Sequence, residues 1–242
     1  MRRYGIIVVF IGLILGCATW GKGRALSSYA PVGIVYVASN YDINWHGEEP
    51  AASDANYLFD NVFAKRRGEE KTKISKADEL IDEADTTLRK ILSDSGIAVF
   101  AEKETLINSR SYAEANINNR LEGGSVKAEG YHFINFRDKT FPGKLAQETG
   151  INSTMYVTFS FTRLMASGIG KSGTMRAQVA MTALIIDASG KTIYNKTRTV
   201  KSADKVPVSG GFYDEDELME LFRAAISDAC YDFVSVFTAQ GR

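Results

Sequence analysis

From Ser153 onward the chain alternates apolar and polar residues with a period of two, and this alternation restricts the fold more than any other feature. Met155, Val157, Phe159 and Phe161 alternate with Tyr156, Thr158, Ser160 and Thr162, and Met175, Ala177, Val179, Met181, Ala183 and Ile185 repeat the apolar phase. Successive strand residues point to opposite faces, so both segments read as strands with one face on a core and the other partly wet. Asp187-Ala188-Ser189-Gly190 is turn chemistry, and Thr192 to Val200 continues as a third strand. Three such strands form an antiparallel meander.

Helical periodicity surrounds this block. Ser75 and Asp78 form a variant capping box, and Leu80, Ile81, Ala84, Leu88, Ile91 and Leu92 follow at spacings of three and four until Gly96. Pro142 and Gly150 bracket a short helix, and a last helix starts near Asp214 with Glu215 and Glu217 in its first turn. Its buried stripe is Leu218, Leu221, Phe222, Ala225, Ile226, Ala229, Phe233 and Val234, and it should lie across the sheet. Upstream, Val32-Gly33-Ile34-Val35-Tyr36-Val37 is apolar on both faces, as a central strand covered on both sides requires. Tyr41 to Pro50 is expected as a loop, and Ser53 opens a helix with Leu58, Phe59, Val62 and Phe63 on one face. Ile97-Ala98-Val99-Phe100 reads as a short strand completing a strand-helix-strand unit, and Thr105 to about Leu121 as one polar helix broken at Gly123-Gly124-Ser125. Residues 122–139 read as loop with an extended piece at Tyr131 to Phe136.

The first residues carry an address. Met1-Arg2-Arg3 precedes an apolar run from Tyr4 to Leu15, and small Gly16 stands directly before Cys17. The order resembles the lipobox of bacterial lipoproteins, and the run falls short of the roughly 20 apolar residues a membrane span needs. The expected layout is therefore residues 1–16 as a cleaved lipoprotein signal peptide, 17–30 as a lipidated Cys17 with a flexible tether, and 31–242 as a single α/β domain. Two or three acyl chains on Cys17 would anchor the protein stably, since each buried methylene contributes about 0.8 kcal/mol. Ala18, by resemblance to enteric lipoproteins, implies sorting to the outer membrane. With Cys17 lipidated, Cys230 has no intramolecular disulfide partner, and its place beside Ala229 and Phe233 suits a small buried hydrophobe.

The fold class that follows is α/β in the α+β sense: a mixed sheet with an antiparallel C-terminal meander packed by amphipathic helices, after the signal peptide. The order of these elements, with Leu145-Ala146-Gln147-Glu148-Thr149-Gly150 leading into Met155-Tyr156-Val157-Thr158-Phe159 and a strand ending Leu184-Ile185-Ile186-Asp187-Ala188-Ser189-Gly190-Lys191-Thr192-Ile193-Tyr194, resembles envelope lipoproteins of the TolB N-terminal-like fold. Curli-secretion lipoproteins and penicillin-binding-protein activators belong to that group. The resemblance covers about two thirds of the chain after Cys17, with segments 40–67 and 105–139 departing from it, and implies a non-catalytic role in assembling or regulating envelope machinery.

Motifs with chemistry are sparse. Loss of Arg2 and Arg3 leaves 27 basic against 29 acidic residues, which argues against a nucleic-acid partner; Lys65-Arg66-Arg67 suits the end of the helix from Ser53. Gly168-Ile169-Gly170-Lys171-Ser172 lacks the first P-loop glycine, because Met165 stands there, and leads into a strand, so it reads as a hairpin tip. His46 and His132 are the two histidines, with no zinc spacing and no nucleophile elbow, so neither a metal, a cofactor nor a catalytic residue is assigned. Trp45, His46, Glu48 and Glu49 are the candidate ligand-binding residues, weighed against an ordinary exposed loop. The leading functional expectation is a membrane-anchored, periplasm-facing module whose sheet edge or wet strand face meets an envelope protein. The alternatives are a carrier of a small or lipidic ligand using Tyr131, Phe133, Phe136 and Phe141, residues that also suit a core, and a hydrolase with dispersed residues.

Overall fold

The computed structural model describes residues 25–41, 43–47, 77–117, 125–169 and 172–239, the backbone alone for 44–47, 169 and 239. A 3-10 turn, Leu26–Tyr29, precedes strands β1 (Val32–Asn40) and β2 (Asn44–Gly47). Helices α1 (Ala77–Ser95), α2 (Lys103–Ile107) and α3 (Arg110–Ala113) follow, then β3 (Ser125–Lys127) and α4 (Phe141–Thr149). Strands β4 (Ser153–Ile169), β5 (Ser172–Asp187), β6 (Thr192–Lys201) and β7 (Val206–Val208) lead to the last helix, α5 (Glu215–Ala239).

Among the described residues the strands form one seven-stranded mixed sheet of order β3-β1-β4-β5-β6. β1 and β4 are parallel, and β4, β5 and β6 form the antiparallel meander read from the alternation. The β4–β5 hairpin outruns its neighbours, so β2 replaces β1 beside β4 and β7 replaces β6 beside β5. Met155, Val157, Phe159, Phe161, Met175, Val179, Met181 and Ile185 are all buried. They face α5: Phe161 meets Phe222 edge-on at 5.8 Å, and Tyr194 of β6 meets Phe233 at 5.7 Å. Each side chain of this kind contributes about 1.5–3 kcal/mol on burial. This layer therefore holds helix to sheet, while the paired bonds of Arg223 to Glu83 (2.7 and 3.0 Å) fix α5 against α1.

Local signals explain where the elements stop. Gly96 and Gly150 follow α1 and α4 with φ of 61° and 75°, a left-handed geometry that costs glycine least. The Asp214 carboxylate accepts the amides of Asp216 and Glu217, both at 3.0 Å, and so starts α5.

Several expectations are corrected. Ile97 to Phe100 is not a strand: it makes one parallel bridge, Val32 to Phe100, and β1 takes β4 as its parallel neighbour. Pairing ends there because the chain turns at Glu102 into α2. The polar helix expected from Thr105 is instead α2 and α3, divided at Ser109, whose hydroxyl accepts the Tyr112 amide at 3.2 Å and caps the second helix while Tyr112 is buried. Tyr131 to Phe136 is not a strand either, contributing one bridge between Ile117 and Ile134, and β3 forms upstream of it. The expected loop from Tyr41 to Pro50 contains β2. Asn40 explains this: its side-chain amide donates to the Phe161 carbonyl at 3.0 Å and its oxygen accepts the Phe161 amide at 2.7 Å. The side chain thus imitates a strand residue across the gap, and the ladder resumes at Asn44 opposite Thr162. Order also begins before Pro31, with Leu26 buried in the 3-10 turn. The capping Ser75 and the helix expected from Ser53 through Lys65-Arg66-Arg67 lie outside the described residues.

Candidate functional site

The second face of the sheet is covered in one half and open in the other. Near the start of β1, Gly33 has no side chain, and a Cβ there would stand 2.8 Å from Ile151 and 3.2 Å from Leu106. That absence lets α2 and the chain leading into β4 close over the face, with Tyr112 and Phe141 packed beyond. Toward the other end the floor is Ala38 of β1, Thr158 and Ser160 of β4, Ala180 and Thr182 of β5, and Asn195 of β6. Tyr36, Tyr156 and Leu184 wall one end, while Phe136, Asn40 and Ser125 wall the β3 side. The groove holds about 440 Å³, and none of its lining side chains is charged.

Burial governs the tyrosines of the wall. Tyr36 is pushed up to about 12 by burial, and Tyr156 is raised for the same reason. Among the described residues the Tyr156 hydroxyl has no hydrogen-bond partner. Thr154, close enough to draw its pKa partly back, gives its own proton to the Ile186 carbonyl at 3.3 Å. Both phenols are neutral at physiological pH, so the groove meets its surroundings through uncharged hydroxyl, amide and aromatic surface. Phe136, 38% exposed, forms an apolar rim.

A polar cluster elsewhere is structural. A bulge between Ile34 and Tyr36 turns two successive carbonyls of β1 outward, where β3 does not reach. Arg89 donates to the Ile34 carbonyl at 3.5 Å and the Tyr112 hydroxyl to that of Val35 at 3.1 Å. Buried Asp85 holds this arrangement by accepting from Arg89 (3.0 Å), Lys103 (2.8 Å) and Tyr131 (3.2 Å), with Tyr131 also bonded to Arg89. Burial raises the Tyr131 pKa further than the nearby Arg89 lowers it, so the phenol stays a donor. Every partner is accounted for by the β1 edge and the α1 face, an arrangement that satisfies buried backbone.

The residues proposed from sequence are scattered. Trp45 and His46 lie on β2, their backbone opposite Arg163 and Leu164. Cys17, Glu48 and Glu49 lie outside the described residues. His132 is exposed against Tyr112, ring centres 5.5 Å apart. Tyr131, Phe133 and Phe141 are core, and of the four aromatics weighed as a carrier surface Phe136 alone lines the groove. The groove floor was available to sequence reasoning as an anomaly: the middle of the wet phase of the two long strands, Thr158 and Ser160 with Ala180 and Thr182, carries no charge. Cys230 is buried, with its thiol pushed up to about 12.

No protein-family model matches the chain, and no curated protein matches it in sequence. Among solved structures it is similar to the LpoB C-terminal domain from Salmonella enterica at 13% identity, over 72% of this chain and 87% of that one, with a TM-score of 0.29. It is similar also to lipoprotein GNA1162 from Neisseria meningitidis at 13% identity, over 82% of this chain and 97% of that one, again with a TM-score of 0.29. At that superposition neither likeness assigns this chain a partner or an activity.

Proposed function

We propose that the chain is a lipid-anchored cell-envelope protein, held through Cys17 at a periplasm-facing membrane surface, whose folded body is a non-catalytic interaction module for an envelope protein. The observation that carries the reading is the asymmetry of the sheet. One face is sealed by α5 and α1, while half of the other presents an uncharged floor with the exposed ring of Phe136 at its rim. Strand faces turned to water normally carry charge, and an apolar-rimmed patch without it favours a protein contact. The basic n-region, apolar run and Gly16-Cys17 step support the anchor, and Ala18 supports the outer membrane over the inner.

Two measurements test this. A fatty-acid probe fed to cells should label the wild type and leave Cys17→Ser unlabelled and released from membranes; equal labelling of both removes the anchor. A photocrosslinking residue at Thr158, on the groove floor, should capture one envelope protein that the same residue at exposed Thr86 on α1 does not. A second reading has its own support, since about 440 Å³ lies within the 300–1,000 Å³ typical of small-ligand sites. Capture of lipid or small molecule in place of protein at Thr158 selects it.

A further inference from the structure

β6 ends the sheet, and its outer side is unpaired among the described residues. The direction of its backbone groups follows from one bond: Ser202 N–H donates to the Ala177 carbonyl at 2.8 Å, so Val200, Arg198 and Lys196, two residues apart, turn their amides and carbonyls toward β5. Pro207, opposite Thr174 on the same side of β5, agrees, because a proline fits where no amide is needed and leaves Val206 and Val208 to bond. Asn195, Thr197 and Thr199 therefore direct their backbone donors and acceptors outward. The side chains divide with the same period. Tyr194 lies against α5, which puts Lys196 and Arg198 on that face, while Asn195 lines the groove, which puts Thr197 and Thr199 on the open face.

We infer that the outer edge of β6 accepts an extended segment of a partner protein as an added strand, one whose residues alternate between acidic on the α5 face and small apolar or hydroxyl side chains on the groove face. Main-chain bonds to Asn195, Thr197 and Thr199 hold it, and cross-strand neighbours choose it. Lys196 is exposed and Arg198 stands 3.6 Å from Asp232, so acidic residues opposite these two cations complete the charge pattern. The groove side, uncharged from Asn195 to Thr199, receives the other phase beside Asn195 and Thr182. A second copy of this chain is disfavoured as occupant: antiparallel self-pairing centred on Lys196, Thr197 or Arg198, the middle of β6, brings cations from the two copies face to face. The inference rests on the interaction-module reading and adds its mode and its partner's chemistry.

The test uses the full chain in nonionic detergent with an acetylated, amidated octapeptide alternating glutamate with valine or threonine, and a control with lysine for glutamate. The acidic peptide should slow hydrogen exchange at the amides of Asn195, Thr197 and Thr199 without changing those of Lys196 and Arg198. It should bind at least fivefold more tightly than the lysine peptide at low salt, since each cross-strand pair contributes roughly threefold. Lys196→Glu should erase or invert that preference. Thr199→Pro, which removes an outward amide and no bond to β5, should abolish binding with the circular dichroism spectrum retained. The inference is overturned if the three amides are already as protected as β5 in the free chain, if both peptides bind equally, or if binding leaves these amides unprotected. Failure here with protein capture at Thr158 intact removes the edge mode alone; binding here with no capture in cells removes the envelope reading alone.

Discussion

Deleting the Asp85 carboxylate should destabilise the fold far more than deleting a shorter ion pair elsewhere, because burial and not distance sets the cost. The Asp85 side chain is 6% exposed, and those of Arg89 and Lys103 are 22% and 21% exposed. In Asp85→Ala both cations lose their counterion, the Tyr131 hydroxyl loses an acceptor, and Arg89 and Lys103 are left facing the same Tyr131 ring at 5.8 and 4.5 Å. Breaking a buried pair costs about 3–5 kcal/mol, and the residual exposure of the two cations places this cluster near the lower end, about 3 kcal/mol. For a chain of this size that lowers Tm by about 6–12 °C. The reference is Glu114→Ala, which removes a 2.7 Å pair with Arg110 whose side chains are 83% and 63% exposed. Solvent screens so exposed a pair, so its loss should move Tm far less than the loss of Asp85 does. Urea denaturation followed by circular dichroism measures both, with an unchanged m-value confirming that the same transition is compared. Equal shifts in the two variants, or a loss below about 1 kcal/mol in Asp85→Ala, would refute the assignment of Asp85 as the organiser of the β1 edge.

Other consequences are directly measurable. Cys230, with its thiol pushed up to about 12 by burial, should resist a disulfide reagent in native Cys17→Ser protein at neutral pH and react once urea unfolds it; fast native reaction would contradict its packing beneath the sheet. Asp138 is held below the usual carboxylate range, chiefly by the Thr140 hydroxyl, and Asp187 is held low because bonds from Ser189 and Lys191 outweigh the upward push of burial. Depressed carboxylates add stability that is present above about pH 4 and is lost as pH falls through their folded pKa values, so Asp138→Asn and Asp187→Asn should each flatten the acid limb of a stability profile; an unaltered limb would refute the pairing. Gly173 has φ of 154° and a Cβ would stand 1.9 Å from the Ser167 carbonyl oxygen, so Gly173→Ala should cost about 1–3 kcal/mol by chemical denaturation, and an unmoved midpoint would show that the hairpin end relaxes freely.

The elements legible in the text were those whose side chains repeat. The period of two predicted β4 and β5 with their buried phase, and spacings of three and four predicted α1 and α5 with their stripes, because burial of one face imposes the element's own geometry on the residue order, while β6 and α4 were read from the turn residues that bound them. Ile97 to Phe100 had the composition of a strand and lacked a partner along its length; composition records local preference, whereas a ladder needs a second chain segment alongside. β2 and β3 were missed for the converse reason, short polar strands recruited by the edges of β4 and β1. Asn40 bridging to Phe161 belongs to the same class, a contact between residues 121 positions apart that no window of sequence contains. Residue order sufficed for which side chains are buried, for an inert Cys230 and for a helix cap at Asp214, since each depends on neighbours a few positions away. The half-open face, the groove and the outward amides of β6 required the assembled sheet, because they arise from which strands meet, which end the short helices cover and where pairing stops, and those are properties of distant segments brought together.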